Sequence, residues 1–217
     1  MELIRIRDVS MQYKNGVTAI YDLNLKIRRG DFVFIIGGTG CGKSTLIKML
    51  YREVKPTRGE IIVGGLNVAR LRNSRVYKLR RKLGIVFQDY RLLTKSTVYE
   101  NVAFALEVIG APKEEINRKV LRALELVGLK GKVRQYPDQL SGGEQQRVAI
   151  ARSLSYHPQM IIADEPTGNL DQDTENDILK IFSYLAHKEN KCIIIVTHSD
   201  NVAKQVDKVF ELKKQKH

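Results

Sequence analysis

The chain of 217 residues has only two cysteines and five prolines, and no apolar run nears the ~20 residues that cross a bilayer. Each shortage excludes something. Cys41 and Cys192 are too few for a disulfide framework or a cysteine metal site. Cys192 opens an apolar run and reads as core packing. Cys41 reads as a small residue in a tight loop, or as a thiol whose alkylation would block that loop. The longest apolar runs, "FVFII" (32–36) and "CIIIV" (192–196), have strand length. The opening "MELIRIRD" alternates charged and apolar residues and lacks a signal-peptide core. The expectation is a cytoplasmic protein unless a partner holds it at a membrane. No repeat, linker or low-complexity segment is present. Acidic residues are also short, 24 against 37 Lys and Arg, for a net charge of +13. Such a surplus suits nucleic acid, anionic lipid or nucleotide phosphates alike. The basic stretches, "KIRRG" (26–30), "NSRVYKLRRK" (73–82) and "KKQKH" (213–217), read as solvated faces.

What is present is an alternation of strand and helix patterns. "ELIRIR" (2–7) and "AIYDLNLKI" (19–27) have the period-two pattern of half-buried strands. "FVFIIG", "LGIVFQ" (83–88), "MIIADE" (160–165) and "KCIIIVTH" (191–198) are continuously apolar, as buried strands are. "GEIIVGG" (59–65) and "KVFEL" (208–212) are shorter candidates. Helical spacing follows in "KSTLIKMLYRE" (43–53), in two segments between Thr97 and Leu129, in "EQQRVAIARSLSY" (144–156) and over 172–189. Pro112 stands where the second of the middle helices would start. The pattern predicts an α/β core, 1–88 and 159–217, with a helical subdomain at 89–158 inserted between core strands.

"GGTGCGKS" fits G-x-x-x-x-G-K-[ST], with Gly37, Gly42, Lys43 and Ser44 at the defining positions. A buried strand precedes it and a helix follows, as a P-loop requires. The glycines let backbone N–H groups turn inward around phosphates, and the helix N-terminus adds partial positive charge. Lys43 supplies a full charge to the outer phosphates, and the Ser44 hydroxyl is placed to ligate Mg²⁺. A P-loop also needs an acid at the end of another buried strand. "MIIADE" provides Asp164 and, beside it, Glu165. Two such carboxylates can divide the work: one reaches the metal through water, the other polarises the attacking water.

A second pair of glycines stands in "LSGGEQQR" (140–147), again before a helix but without a lysine. The residues alone leave two arrangements open. Both glycine segments meet one nucleotide within one copy, or two copies meet head to tail.

"GGTGCGKST" (37–45), "IVFQD" (85–89), "LSGGEQQR", "IIADEPTGNLD" (161–171) and "VTH" (196–198) together resemble the motifs of ATP-binding cassette (ABC) ATPases, in family order and over essentially the whole chain. That resemblance implies a P-loop NTPase fold with an N-terminal antiparallel β subdomain and an inserted helical one. It implies a homodimer that closes on two Mg·ATP, each held between one P-loop and the other copy's signature. By resemblance, Gly37, Gly38, Thr39, Gly40, Cys41, Gly42, Lys43, Ser44 and Thr45 contact the nucleotide, and Tyr13 stacks on adenine. Gln88 is the Q-loop residue that contacts Mg²⁺ and senses the membrane partner. Ser141, Gly142, Gly143 and Glu144 belong to the signature that caps the opposite γ-phosphate. Asp164 is the metal-site acid, Glu165 the general base, Asp171 the acid of the dimer interface and His198 the switch histidine. Close relatives often have Pro, Ser and Ala where this loop has Gly38, Thr39 and Cys41; all are small.

"REVKPTRGEIIVGG", "LRRKLGIVFQDYRLL" and "KSTVYENVAFALEVIGAP" resemble most the FtsE group of cell-division cassettes. Members work with an integral membrane permease-like (FtsX-like) subunit from the cytoplasmic face of the inner membrane. They relay ATP-driven change to peptidoglycan hydrolases. The segment "DYRLL" (89–93) is expected to form the partner's groove. The alternative within the family is a lipoprotein-releasing or macrolide-type exporter. A nucleic-acid-associated ABC ATPase is a further alternative, but no sustained heptads lie between P-loop and signature, and no nucleic-acid partner is expected. The chain stops soon after "KVFELKKQKH", which argues against a regulatory domain, and its basic tail is expected to lie near anionic lipid.

Overall fold

The computed structural model describes residues 1–198 and 206–213. Residues 214–217 of the basic tail lie outside them. Two sheets organise the chain. The first is antiparallel: β1 (Glu2–Gln12), β2 (Thr18–Arg28), β4 (Arg58–Val63) and β5 (Leu66–Asn67) pair in the order β2-β1-β4-β5. The second is parallel throughout. It contains β3 (Phe32–Ile36), β6 (Leu83–Val86), β7 (Met160–Asp164), β8 (Cys192–Val196) and β9 (Lys208–Glu211), in the order β6-β7-β8-β3-β9. This is the expected α/β class with its antiparallel N-terminal part.

The continuously apolar strands earn their pattern by being buried on both faces. Side chains alternate along each strand. Phe32, Phe34, Ile161, Ala163, Ile193 and Ile195 join one apolar cluster with the helices α3 (Val98–Val108), α4 (Lys113–Leu126), α5 (Gly142–Leu154) and α6 (Gln172–His187). Val33, Ile35, Ile162, Ile194 and Val196 join a second cluster with α1 (Lys43–Leu50) and the antiparallel sheet. The helical insertion therefore packs onto the parallel sheet through a shared core. Cys192 is fully buried in the second cluster, which pushes its thiol up to about 12.

Three local results differ from the pattern reading. The helix predicted over 43–53 stops at Leu50, because Arg52 turns left-handed (φ 63). The Arg52 guanidinium donates to the carbonyls of Val68 (2.8 Å) and Leu71 (3.3 Å), so the turn is tied down. The basic stretch 73–82 is more than a solvated face: it forms a 3₁₀ turn and the short helix α2 (Val76–Arg80), with Leu79 buried. The helix after the second glycine pair begins at Gly142, two residues earlier than expected.

Helix starts in the insertion are capped as their sequences allow. Thr97 and Glu100 form a reciprocal capping box at α3. Asn101, fully buried on that helix, accepts from Leu93 N–H at 2.7 Å and donates to the carbonyls of Leu93, Ser96 and Thr97 at 3.0 Å. These bonds fix the end of the 89–93 segment.

Candidate functional site

Strand order brings the separated motifs together. β3, β8 and β7 are neighbours and parallel, so the segments that leave their C-terminal ends share one edge. The P-loop follows β3, Asp164 ends β7, and His198 lies two residues past β8. Gln88 follows β6, next to β7.

The P-loop glycines at 37 and 42 are required by geometry. Both have left-handed backbone, φ 154 and φ 100. A Cβ at Gly42 would run into the carbonyl oxygen of Ala19, and one at Gly37 would lie 2.5 Å from the carbonyl oxygen of Leu212. Gly38 has open space around it. Cys41 is 4% exposed and fills the loop beneath Gly37. Lys43, the first residue of α1, is buried, and its ammonium donates to the carbonyls of Gly37 and Gly38. A cleft of about 490 Å³ opens over this turn. Thr39, Gly40, Lys43 and Ser44 line one side, and Glu165 and His198 another. Val17, Thr18 and Ala19 close it, residues that carried no functional signal in the sequence.

Glu165 has a left-handed backbone (φ 45). For a residue other than glycine this costs on the order of 1–3 kcal/mol, and such strain concentrates at functional sites. Its N–H donates to Val196 O at 2.8 Å, which holds the turn. Its carboxylate pairs with His198 Nδ1 at 2.9 Å. Burial raises the neighbouring Asp164 carboxyl above the usual aspartate range; repulsion from Glu165 adds to the rise, and Lys43 opposes it. The Gln88 amide lies against the turn after Glu165, 3.1 Å from where a Cβ on Gly168 would stand. Tyr13 does not line the cleft: its hydroxyl shares a hydrogen bond with Thr45 Oγ1 at 2.9 Å, and its ring packs on the second cluster.

The second glycine pair lies apart from this cleft. Ser141 caps α5, accepting from Glu144 N–H, and the Glu144 carboxylate accepts from Ser141 N–H. Neither Gly142 nor Gly143 has positive φ. Gly143 is demanded by packing, since a Cβ there would run into the Thr174 methyl. Asp171 caps α6, accepting from Thr174 N–H (3.0 Å) and Thr174 Oγ1 (2.7 Å). Those bonds hold its carboxyl below the usual range.

A larger cavity of about 760 Å³ lies between α2 and α3. Its apolar wall is Tyr77, Phe104 and Val108, all well exposed. Its polar wall is Arg80, Arg81, Arg91 and Arg152. Of the 89–93 segment, expected to offer Tyr90 and Leu93 to a partner, only Arg91 lines this cavity. Tyr90 packs inward on the helical cluster with its hydroxyl facing Gly142, and Leu93 does not line the cavity. Arg152 donates to the carbonyls of Tyr90 (2.8 Å) and Arg91 (2.6 Å), both left-handed residues. The α2 wall was not read from the sequence, where basic residues surround the apolar spacing at Val76 and Leu79.

Comparison with known proteins agrees with this geometry. The ABC transporter family pattern matches residues 20–168. The cell division ATP-binding protein FtsE of Bacillus subtilis (strain 168) is 47% identical over 206 residues, 95% of this chain and 90% of that protein. Two dimeric structures of a bacterial ABC transporter cassette superpose with TM-scores of 0.86. The first is 36% identical and covers 97% of this chain and 94% of its own. The second, a post-hydrolysis state bound to ADP and Pi, is 34% identical and covers 98% and 97%. The chain belongs to the ABC transporter family of ATP-binding cassettes.

Proposed function

We propose that this chain is the ATP-binding and ATP-hydrolysing subunit of an FtsEX-like cell-division complex, one ABC ATPase domain whose 89–158 insertion carries the signature. The observation that supports it most is the Glu165–His198 pair, 2.9 Å apart beside the P-loop cleft, in a chain 47% identical to a cell division ATP-binding protein. ATP enters with its phosphates over the P-loop. Lys43 then exchanges the carbonyls of Gly37 and Gly38 for phosphate oxygens. Glu165 accepts the proton of the attacking water, and His198 orients that carboxylate. Ser44, Gln88 and Asp164 form an all-oxygen donor set that fits Mg²⁺, which takes few protein ligands beside substrate phosphates. When bound, Mg²⁺ neutralises charge on the phosphates.

The signature of a second copy, Ser141 to Gly143, closes over the γ-phosphate; its absence from the lining of its own copy's cleft supports a head-to-tail dimer. The arginine-walled cavity takes a helical segment of an integral membrane subunit, FtsX-like, with carboxylates among apolar residues. Among the described residues no helix is long and apolar enough to cross a membrane, so that subunit holds the chain peripherally at the cytoplasmic face. The test is phosphate release from Mg·ATP together with division scored after gene deletion in the host. Absence of turnover would overturn the enzyme reading. Normal division with a lost export phenotype would overturn the cell-division reading.

A further inference from the structure

Lys132 lies outside every motif, yet its ammonium reaches the first turn of the signature helix. It sits in the 3₁₀ turn Lys130–Lys132 that follows α4. Its Nζ donates to Glu144 Oε1. The other oxygen of that carboxylate, Oε2, accepts from Ser141 N–H at 3.0 Å, and Ser141 Oγ accepts from Glu144 N–H at 3.3 Å. The pair is sheltered on one side: Glu144 is 17% exposed and Lys132 36%. Lys132, then the Ser141 N–H, holds the Glu144 carboxyl below the usual range, so it is ionised at neutral pH.

A full negative charge on this turn opposes the role proposed for it. A helix N-terminus attracts an anion through roughly half a positive charge, and a carboxylate three residues past the cap cancels that field. It would also repel the γ-phosphate. Lys132 is the cation bonded to it. The same bond fixes which oxygen faces the Ser141 N–H, and so keeps the capping box in one geometry.

We propose that Lys132 is a positioning residue for ATP hydrolysis: it neutralises and orients Glu144, so that Ser141 and the start of α5 receive the γ-phosphate held by a second copy of this chain. This rests on the function proposed above. Lys132 does not line the P-loop cleft of its own copy, so its effect falls on turnover and dimer closure and spares nucleotide affinity of the single copy.

The test compares Lys132→Met, Lys132→Arg and Lys132→Met with Glu144→Gln, each in the full chain. Readouts are kcat and KM for Mg·ATP, binding of a fluorescent ATP analogue, and ATP-dependent dimer formation in the Glu165→Gln background. Lys132→Met is expected to lower kcat roughly five- to tenfold, the range of a charge effect at a helix N-terminus. It should weaken the dimer and leave analogue binding and melting temperature near those of the parent. Lys132→Arg should retain turnover. The double variant should turn over faster than Lys132→Met alone, because the uncompensated charge is gone. Unchanged kcat in Lys132→Met, or a double variant slower than the single one, would overturn the inference while the parent's turnover upholds the functional reading. A parent chain without turnover would remove both.

Discussion

Two helices in this chain start at glycine-rich segments, and their first turns are built in opposite ways. At α1 the chain swings through Gly42 at φ 100 with no side-chain cap, and Lys43 follows at once. At α5 a serine caps the helix, a glutamate returns the bond, and the glycines keep ordinary helical backbone. The first turn has no side-chain acceptor for its N–H groups and brings its own cation. The second bonds the Ser141 and Glu144 N–H groups from within, is narrow because α6 presses on Gly143, and borrows a cation from Lys132. One turn is a cradle that grips by itself. In the proposed function the other is a lid, serviceable when something else already holds the charge.

The largest effect should come from the cradle side. Glu165→Gln is expected to lower turnover at least ~100-fold, the scale of a lost general base, while ATP binding persists and an ATP-dependent dimer accumulates on gel filtration. A persistent monomer with measured binding would break the division into cradle and lid. Next comes the pair of glycine substitutions. Gly42→Ala puts a Cβ against backbone at positive φ, so it should cost at least ~1–2 kcal/mol in denaturant melts, with nucleotide binding lost and no rescue by neighbouring side chains. Gly143→Ala clashes with the Thr174 methyl alone. Adding Thr174→Ser, which keeps a hydroxyl for Asp171, should restore stability. If stability returns without turnover, the lid needs bare backbone for phosphate as well as for packing.

A smaller change tests the arginine-walled cavity. Arg80→Glu with Arg81→Glu should reduce co-purification of the membrane subunit several-fold, by like-charge repulsion, with basal ATPase retained. Equal recovery of that subunit would locate docking elsewhere. The smallest effect concerns Asp164. Its carboxyl is raised by burial and by Glu165, so in the ligand-free protein its ionised form costs stability above that raised value, and the cost is relieved as pH falls through it. Asp164→Asn should therefore raise the melting temperature of the ligand-free protein slightly at neutral pH, with the gain shrinking toward acid pH. A gain that grows toward acid pH would contradict the assignment of burial as the main cause.

Much of this was legible in the chain. "GGTGCGKS" and "MIIADE" announced phosphate and acid because few arrangements other than strand, tight turn and helix tolerate those glycines, and because a continuous apolar run must be buried on both faces. The stretch 73–82 was hidden, since its five Lys and Arg mask the Val76–Leu79 spacing that forms α2. Tyr90 was read as a groove residue, but whether a loop aromatic faces solvent or core depends on a backbone fixed by the distant Arg152. Lys132 and Thr174 bear on the signature only by proximity.

By itself, then, the sequence determined local chemistry: which turns can wrap an anion, which strands are buried, which acids end them, and in what order. Those properties depend on residues within a few positions of one another, where backbone sterics and side-chain period act directly. The tertiary structure alone decided the pairings across the chain: Glu165 with His198, Lys132 with Glu144, Thr174 against Gly143, and arginines from α2 and α5 around one cavity. Such pairings depend on strand order and helix packing, which are settled by the burial of the whole chain and leave no mark in any short stretch of it.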